Sequence, residues 1–425
     1  MPVQKRKRFL GLRPPPDLRL RPDPGHPLPV TPPALEAPIL APPQGLNPLA
    51  VRTSLEQVTA SPQVCAGDFY GYLFAARPEL RDMFPPQMDT QNERLFAALV
   101  RITKLLDRPD ALAQYLVQLG ADHRKYGVRS EHYAMVSDAL IRALRRHSPA
   151  WSDAAEGGWQ AALSVASHMM IAGASSISGP PWWEGRILHH ERRSDDLAVL
   201  TIQTGQPLPY LPGQYVTVQT SKWPRVWRQF SVANAPRLDG TMDIHVRSIP
   251  GGWVSPVLVK NAVDDGRVML GPAMGGMVPS ATGSSDLLCV AGGTGLAPLK
   301  ALAQAVLEGD EAALSAGRGR RRAIHLFHGA RTPLDLYDMP ELRRLADCYP
   351  WLNVVPVVSR DPEFAGHRGH VSDVLAGYPA DWKDHQVFVS GPSGMVQSTA
   401  EALAGAGVPE AQVHFDEAAL LESAG

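Results

Sequence analysis

The stretch LGADHRKYGV, residues 119–128, places His123 near the end of a segment with helical period. Leu112, Leu116 and Leu119 recur at i, i+4 and i+7, and His123 is the next position on that face, so its imidazole points inward. A lone inward histidine is commonly a satisfied core residue. It is also a side chain well suited to hold a transition metal through a neutral ring nitrogen. Gly127 then ends the helix, and Ser130 is placed to cap the next one.

Two other stretches carry anion-binding chemistry. In CVAGGTGLAPLKAL, Gly292, Gly293, Thr294 and Gly295 lie between a strand and a helix. Glycines there let backbone approach a pyrophosphate, and the helix start supplies N–H donors. The spacing is not GxGxxG, and taken alone it also suits any tight strand-to-helix turn. A second strand, in VFVSGPSGM, ends on Ser390, Gly391 and Pro392; two such turns on one sheet make a crevice. In WRQFSVANAP, Arg228 and Phe230 alternate to one face of a strand with Gln229 and Ser231, which suits a phosphate contact and a flat ring contact. PGGWVS follows, where Gly252, Val254 and Ser255 offer small residues and backbone N–H groups; an isolated RxFS is equally read as a plain strand.

These residues need three kinds of scaffold. From Pro48 to Ser178 the pattern is helical, with faces Gln91–Leu95–Leu99–Ile102, Tyr133–Val136–Leu140–Leu144 and Trp159–Leu163–Ala166–Met170. ISGPPWW, Ile177 to Trp183, serves as a linker. The period then changes to two in GQYVTVQT and TMDIHVRS, which predicts half-buried antiparallel strands and a small barrel. From residue 284, short apolar runs alternate with helical segments, the pattern of a parallel sheet with crossover helices. The expected divisions are a disordered Pro-rich tail at 1–47, an all-α domain at 48–178, a barrel at 179–282 and an α/β domain at 283–425.

The chain has 425 residues with 44% hydrophobic content, enough for several cores. Its 41 Lys and Arg nearly balance 42 Asp and Glu, so no global field points to nucleic acid or an anionic membrane. Cys65, Cys289 and Cys348 form no CxxC and suit a reducing compartment. No apolar run spans a bilayer and no secretory signal is read, so the expected location is cytoplasmic. The basic Pro-rich arm is read as a solvated tail, with weak docking to a partner as the other reading.

In order, LPGQYVTVQ, RQFS, GGWVS, AGGTGLAP and SGP resemble the ferredoxin–NADP reductase family, and the helical part resembles a globin. The combination resembles the flavohaemoglobin family over about residues 50–417. That resemblance implies an all-α globin, then an antiparallel β-barrel FAD domain, then an α/β parallel-sheet NAD(P)-binding domain. It implies haem b held by His123, with Phe84 and Leu95 lining the porphyrin, Tyr70 and Gln91 on the distal side and Tyr133 on the proximal side. It implies FAD contacts at Gln214, Tyr215, Arg228, Gln229, Phe230, Ser231, Gly252, Val254 and Ser255. NADH or NADPH is then met by Gly292, Gly293, Thr294, Gly295, Ser390, Gly391 and Pro392. The activity implied is nitric oxide dioxygenase: NAD(P)H reduces FAD, FAD reduces haem, and haem-bound O2 turns nitric oxide into nitrate.

The sequence departs from the family at four places. No acid lies near Ala174, where a proximal carboxylate is expected. Asp122 stands before the ligand where a basic residue meets a propionate, with Arg124 or Lys125 as substitutes. Ala418 stands where a flavin-covering ring is expected, and Phe230 replaces a tyrosine. These departures keep three alternatives open: an NAD(P)H oxidase or quinone or dye reductase with an electron-storing haem, a gas-sensing globin-reductase, and a reductase with an empty globin fold. Ser359, Arg360 and Arg331 follow strand ends where a 2′-phosphate binds, or are solvated loop residues.

Overall fold

The computed structural model describes residues 45–261, 264–279 and 284–415. The Pro-rich arm, up to residue 44, and Ala418 lie outside the described residues.

Among the described residues six α-helices come first: α1 (Pro48–Val58), α2 (Pro62–Ala76), α3 (Asp89–Leu105), α4 (Pro109–His123), α5 (Ser130–His147) and α6 (Asp153–Ser176). Prolines open α1, α2 and α4, where a missing N–H costs no intrahelical bond. Gly127 ends the turn after α4 at φ 73°, as its position predicts. Ser130 is the first helical residue of α5 and not its cap. Instead the Arg129 backbone N–H donates to the His132 ring at 3.3 Å. The helices share one core around Leu73, Leu116, Leu144 and Trp159. At the α4–α6 crossing a Cβ on Gly120 would lie 2.0 Å from the Met170 carbonyl oxygen, and one on Gly173 would lie 2.0 Å from that of Val117. Only two glycines allow this approach.

The second layer is an antiparallel sheet of β1 (Trp183–Arg192), β2 (Leu197–Thr204), β3 (Tyr215–Thr220), β4 (Arg228–Ser231), β5 (Thr241–Arg247) and β6 (Arg267–Leu270), with a short helix α7 (Ser255–Val259). The order β4-β3-β6-β1-β2-β5, with a Val232–Ile244 bridge joining the two edges, makes the expected small barrel. Trp183, read as linker, belongs to β1 and is buried. The expectation of half-buried strands fails for β3 and β5. Thr217 and His245, predicted outward-facing polar positions, are 4% exposed. The reason is that the outer face of the barrel is itself covered: Thr217 meets Lys125 of the helical part, and His245 meets Tyr337 of the part that follows.

The third layer is a parallel sheet of β7 (Leu287–Gly292), β8 (Ile324–Ala330), β9 (Leu352–Val358), β10 (His367–Arg368), β11 (Gln386–Ser390) and β12 (Val413–Phe415), ordered β10-β9-β8-β7-β11-β12. Its helices are α8 (Leu296–Ser315), α9 (Met339–Cys348), α10 (Val371–Ala376) and α11 (Ser393–Gly405). Every residue of β7 is buried, as a central strand with helices on both faces requires. Among the described residues, no helix is long and apolar enough to cross a membrane.

Candidate functional site

The sequence-predicted residues gather in three places. The first draws its residues from α2, α3 and α4. Tyr70, on α2, is 6% exposed and its hydroxyl is hydrogen-bonded to the Gln91 side chain at the start of α3. Burial pushes this phenol up to about 12, against a smaller opposing pull from Gln91, so it stays a protonated donor at neutral pH. Phe84 packs edge-on to Tyr70 with ring centres 5.3 Å apart, and Phe74 joins both rings. Leu95 packs half-buried against the same core.

His123, half-buried at the end of α4, has Nδ1 2.7 Å from the Leu119 carbonyl oxygen. A carbonyl only accepts, so Nδ1 carries the proton and Nε2 keeps the lone pair that a metal needs. Burial is the main cause holding the imidazole below its usual range, so the ring is neutral. A cavity of about 330 Å³ is lined by His123, Arg124, Tyr133, Ile171, Ala174 and Ser175 among others. Ala174 therefore faces the same space as His123 and Tyr133, and that lining carries no carboxylate. Arg124 Nη2 donates to the Gly179 carbonyl at 2.7 Å, while its Nη1 is buried without a partner. The cavity's own donors fit haem, a neutral imidazole with Nε2 free and an unpaired guanidinium N–H suited to an acidic edge group, while Tyr70, Gln91, Phe84 and Leu95 lie outside its lining. Of the two proposed propionate substitutes, Arg124 stays with this cavity. Lys125 turns away, bonding Asp122 and Thr217.

The second place is the mouth of the barrel around β4. Arg228 and Phe230 are half-buried on one face and Gln229 is exposed on the other. Arg228 Nη1 donates to the Trp227 carbonyl at 2.9 Å, and Arg94 Nη2 approaches the same oxygen at 3.4 Å. Burial, and then Arg94, holds the Arg228 guanidinium below its usual range. Two cations sharing one carbonyl fit an anion such as a pyrophosphate. Gln214 braces the turn before β3, accepting from Leu211 N at 2.8 Å and donating to Gly275 O at 3.3 Å. Tyr215 pairs with Ser231 across β3 and β4. Ser255 Oγ accepts from Ile249 N at 3.1 Å and so closes the loop around Gly252. The Val254 side chain lies in the barrel core, so only its backbone faces a ligand.

The third place is the carboxyl edge of the parallel sheet. Ser390 on β11 pairs with Ala291 on β7, so the two predicted turns are neighbours. A Cβ on Gly295 would lie 2.3 Å from the Ser390 carbonyl oxygen. One on Gly391 would lie 2.9 Å from the Gly292 nitrogen. Gly293 has φ +54° with open space before it, and Thr294 follows in the same turn. Pro392 ends the second turn, directly before α11. This cradle of bare backbone fits a dinucleotide pyrophosphate.

Sequence reasoning missed the contacts between the first two places. Asp122 lies in the last turn of α4, Lys125 and Tyr126 follow that helix, and Trp227 immediately precedes β4. A basic run after a helix reads as solvated, and no local pattern says that a barrel covers it.

Three family models match the chain: a globin over residues 67–170, an oxidoreductase FAD-binding domain over 184–276 and an oxidoreductase NAD-binding domain over 289–401. The reductase component, ferredoxin–NAD(P)+, of a naphthalene 1,2-dioxygenase/salicylate 5-hydroxylase system of Ralstonia sp. is 30% identical over 55% of this chain and 68% of its own length. A flavohemoprotein of Bordetella pertussis is 27% identical over 82% of this chain and 91% of its own. The crystal structure of a flavohemoglobin from Malassezia yamatoensis, determined with bound FAD and heme, shares the fold at a TM-score of 0.67 and 18% identity, covering 86% of this chain and 98% of that one. The chain is an NAD(P)H-dependent oxidoreductase whose cofactors are haem, FAD and a nicotinamide nucleotide. With a globin joined in this order to a ferredoxin reductase-type module, it belongs to the flavohaemoglobin family.

Proposed function

We propose that the chain is a nitric oxide dioxygenase, which spends NAD(P)H and O2 to turn nitric oxide into nitrate in a reducing compartment. When bound, FAD takes two electrons as hydride and releases them singly, and haem iron takes single electrons and binds O2. The protein's own part is positional. The Gly292–Gly295 turn and the Ser390–Pro392 turn hold the nucleotide. Arg228, Phe230 and Ser231 hold the flavin, and His123 Nε2 holds the iron. In this reading the domains run 48–178, 179–282 and 283–425.

The observation that carries the proposal is Tyr70: a buried phenol, kept protonated, braced by Gln91 and walled by Phe74 and Phe84. Such a fixed donor stabilises negative charge developing beside it at no cost in reorganisation. Replacing Tyr70 with Phe keeps the ring and removes the donor. Nitric oxide consumption under air should fall about ten- to hundredfold, the equivalent of roughly 1–3 kcal/mol, and O2 release should quicken. Dye reduction by NADH should stay at the wild-type rate. Unchanged nitric oxide consumption and unchanged O2 release would remove the distal role of Tyr70.

A second reading, an NAD(P)H oxidase or dye reductase with an electron-storing haem, is favoured by the cavity between His123, Tyr133 and Ala174, whose lining holds no carboxylate. It predicts fast dye reduction with negligible nitric oxide turnover. Running the assay with NADH and NADPH in parallel also tests Arg331 and Arg360, which sit at the carboxyl ends of β8 and β9.

A further inference from the structure

We propose that Lys125 is a positioning residue that seats the His123 end of α4 on the flavin-side strand of the barrel, and so sets how fast electrons pass from barrel to globin. The inference rests on the reading that His123 holds iron and β4 holds flavin.

The side chain of Lys125 is 1% exposed. A buried ammonium is tolerated only when its donors are met. Its Nζ donates to Asp122 Oδ1 at 2.5 Å, a local contact, and to Thr217 Oγ1 on β3 at 2.9 Å, a contact across the two folds. It also lies 5.1 Å from the Tyr126 ring centre and 5.2 Å from that of Trp227, within cation–π range of one ring from each side. Gly271 makes the room: a Cβ there would meet Thr217 Oγ1 at 2.2 Å and Lys125 Cδ at 3.3 Å.

The same spot joins the two cofactor-bearing elements. The rings of His123 and Tyr126 are 5.8 Å apart, and those of Tyr126 and Trp227 are 6.5 Å apart. Trp227 directly precedes Arg228. Arg94, one residue before Leu95 on α3, approaches the Trp227 carbonyl at 3.4 Å. Both helices that flank the expected haem thus converge on Trp227, the residue just before the flavin strand. A thioether or alkyl chain in place of Lys125 keeps the packing stem and loses the bond to Thr217, so the globin is held less closely.

The experiment uses the holoenzyme mixed anaerobically with NADH, following the flavin and Soret bands separately. In Lys125→Met, flavin bleaching and ferricyanide reduction should match wild type. Haem reduction should slow about ten- to hundredfold, the scale of an ångström-level misplacement. Lys125→Arg should recover part of that rate. Small-angle scattering, which needs no turnover, should show a larger maximum dimension for Lys125→Met. Haem reduction within twofold of wild type in a folded, haem-loaded Lys125→Met would overturn the proposal. If that variant fails to fold or loses haem, Thr217→Val removes the cross-fold bond alone and decides by the same criterion. A wild type whose flavin is bleached but whose haem is never reduced would overturn the functional reading, and this inference with it.

Discussion

At the scale of single residues, His123 shows how one hydrogen bond selects a chemistry. Its contact with the Leu119 carbonyl fixes the proton on Nδ1 and leaves Nε2 as the ligand atom. Changing His123 to Ala should abolish the Soret band while the flavin band stays, since β4 and its neighbours are untouched. An unchanged Soret band in that variant would mean that another side chain holds the iron. Arg228→Ala should give the converse result, a flavin-poor protein with a normal Soret band. Arg228 was legible because it stands two places from Phe230 on a strand. Arg124 was legible only as a candidate, because sequence does not say which guanidinium nitrogen ends up buried without a partner.

At the scale of elements, the period of the apolar faces gave α3 to α6 and the alternation of short apolar runs gave the parallel sheet. What the period does not carry is how closely two elements approach. Gly120 and Gly173 look like weak points in helices, yet they are where the backbones of α4 and α6 touch. A Cβ on Gly120 meets carbonyl and Cα atoms of Met170 at 2.0 and 2.4 Å, which no side-chain rotation relieves. Gly120→Ala should therefore cost on the order of 3 kcal/mol, with weakened haem retention and an unaffected flavin band. Gly157, also in α6, has open space around its Cβ direction, so Gly157→Ala should stabilise by roughly 0.5–1 kcal/mol. Thermal melts followed by helical circular dichroism compare the two; equal effects would show that backbone contact at Gly120 is irrelevant. Strands β3 and β5 carry the same lesson. Their alternation is correct, but Thr217 and His245 are buried because other folds sit on the polar face.

At the scale of the whole molecule, a buried polar cluster joins barrel and nucleotide fold. Asp338 is 0% exposed, and accepts from Lys300 Nζ at 2.6 Å and from Arg193 Nη2 at 3.2 Å. Burial would raise its carboxyl, but Lys300, His245 and Arg193 hold it below the usual range. His245 on β5 has Nδ1 2.7 Å from the Tyr337 hydroxyl, and its Nε2 is buried without a partner. Burial first, then Lys300, lowers this ring to about 3, against Asp338 and Asp243, with Arg193 adding to the drop. His328 on β8 is lowered to about 4, mainly by burial, against the Gly293 backbone, Asp338 and Asp335. Both rings bind protons more weakly folded than unfolded, where the value is 6.5. The unfolded chain therefore takes up more protons between about pH 4 and 6.5, and stability falls as pH drops through that window. It is fully present above 6.5, and Asp338 titrates below the window. At pH 5 each ring should cost about 2 kcal/mol relative to neutral pH. His328→Leu keeps the volume and removes one titration, so its melting temperature should fall distinctly less between pH 7 and pH 5 than that of wild type. Equal falls in the two proteins would show that the acid sensitivity lies elsewhere and that His328 is not buried as a neutral ring.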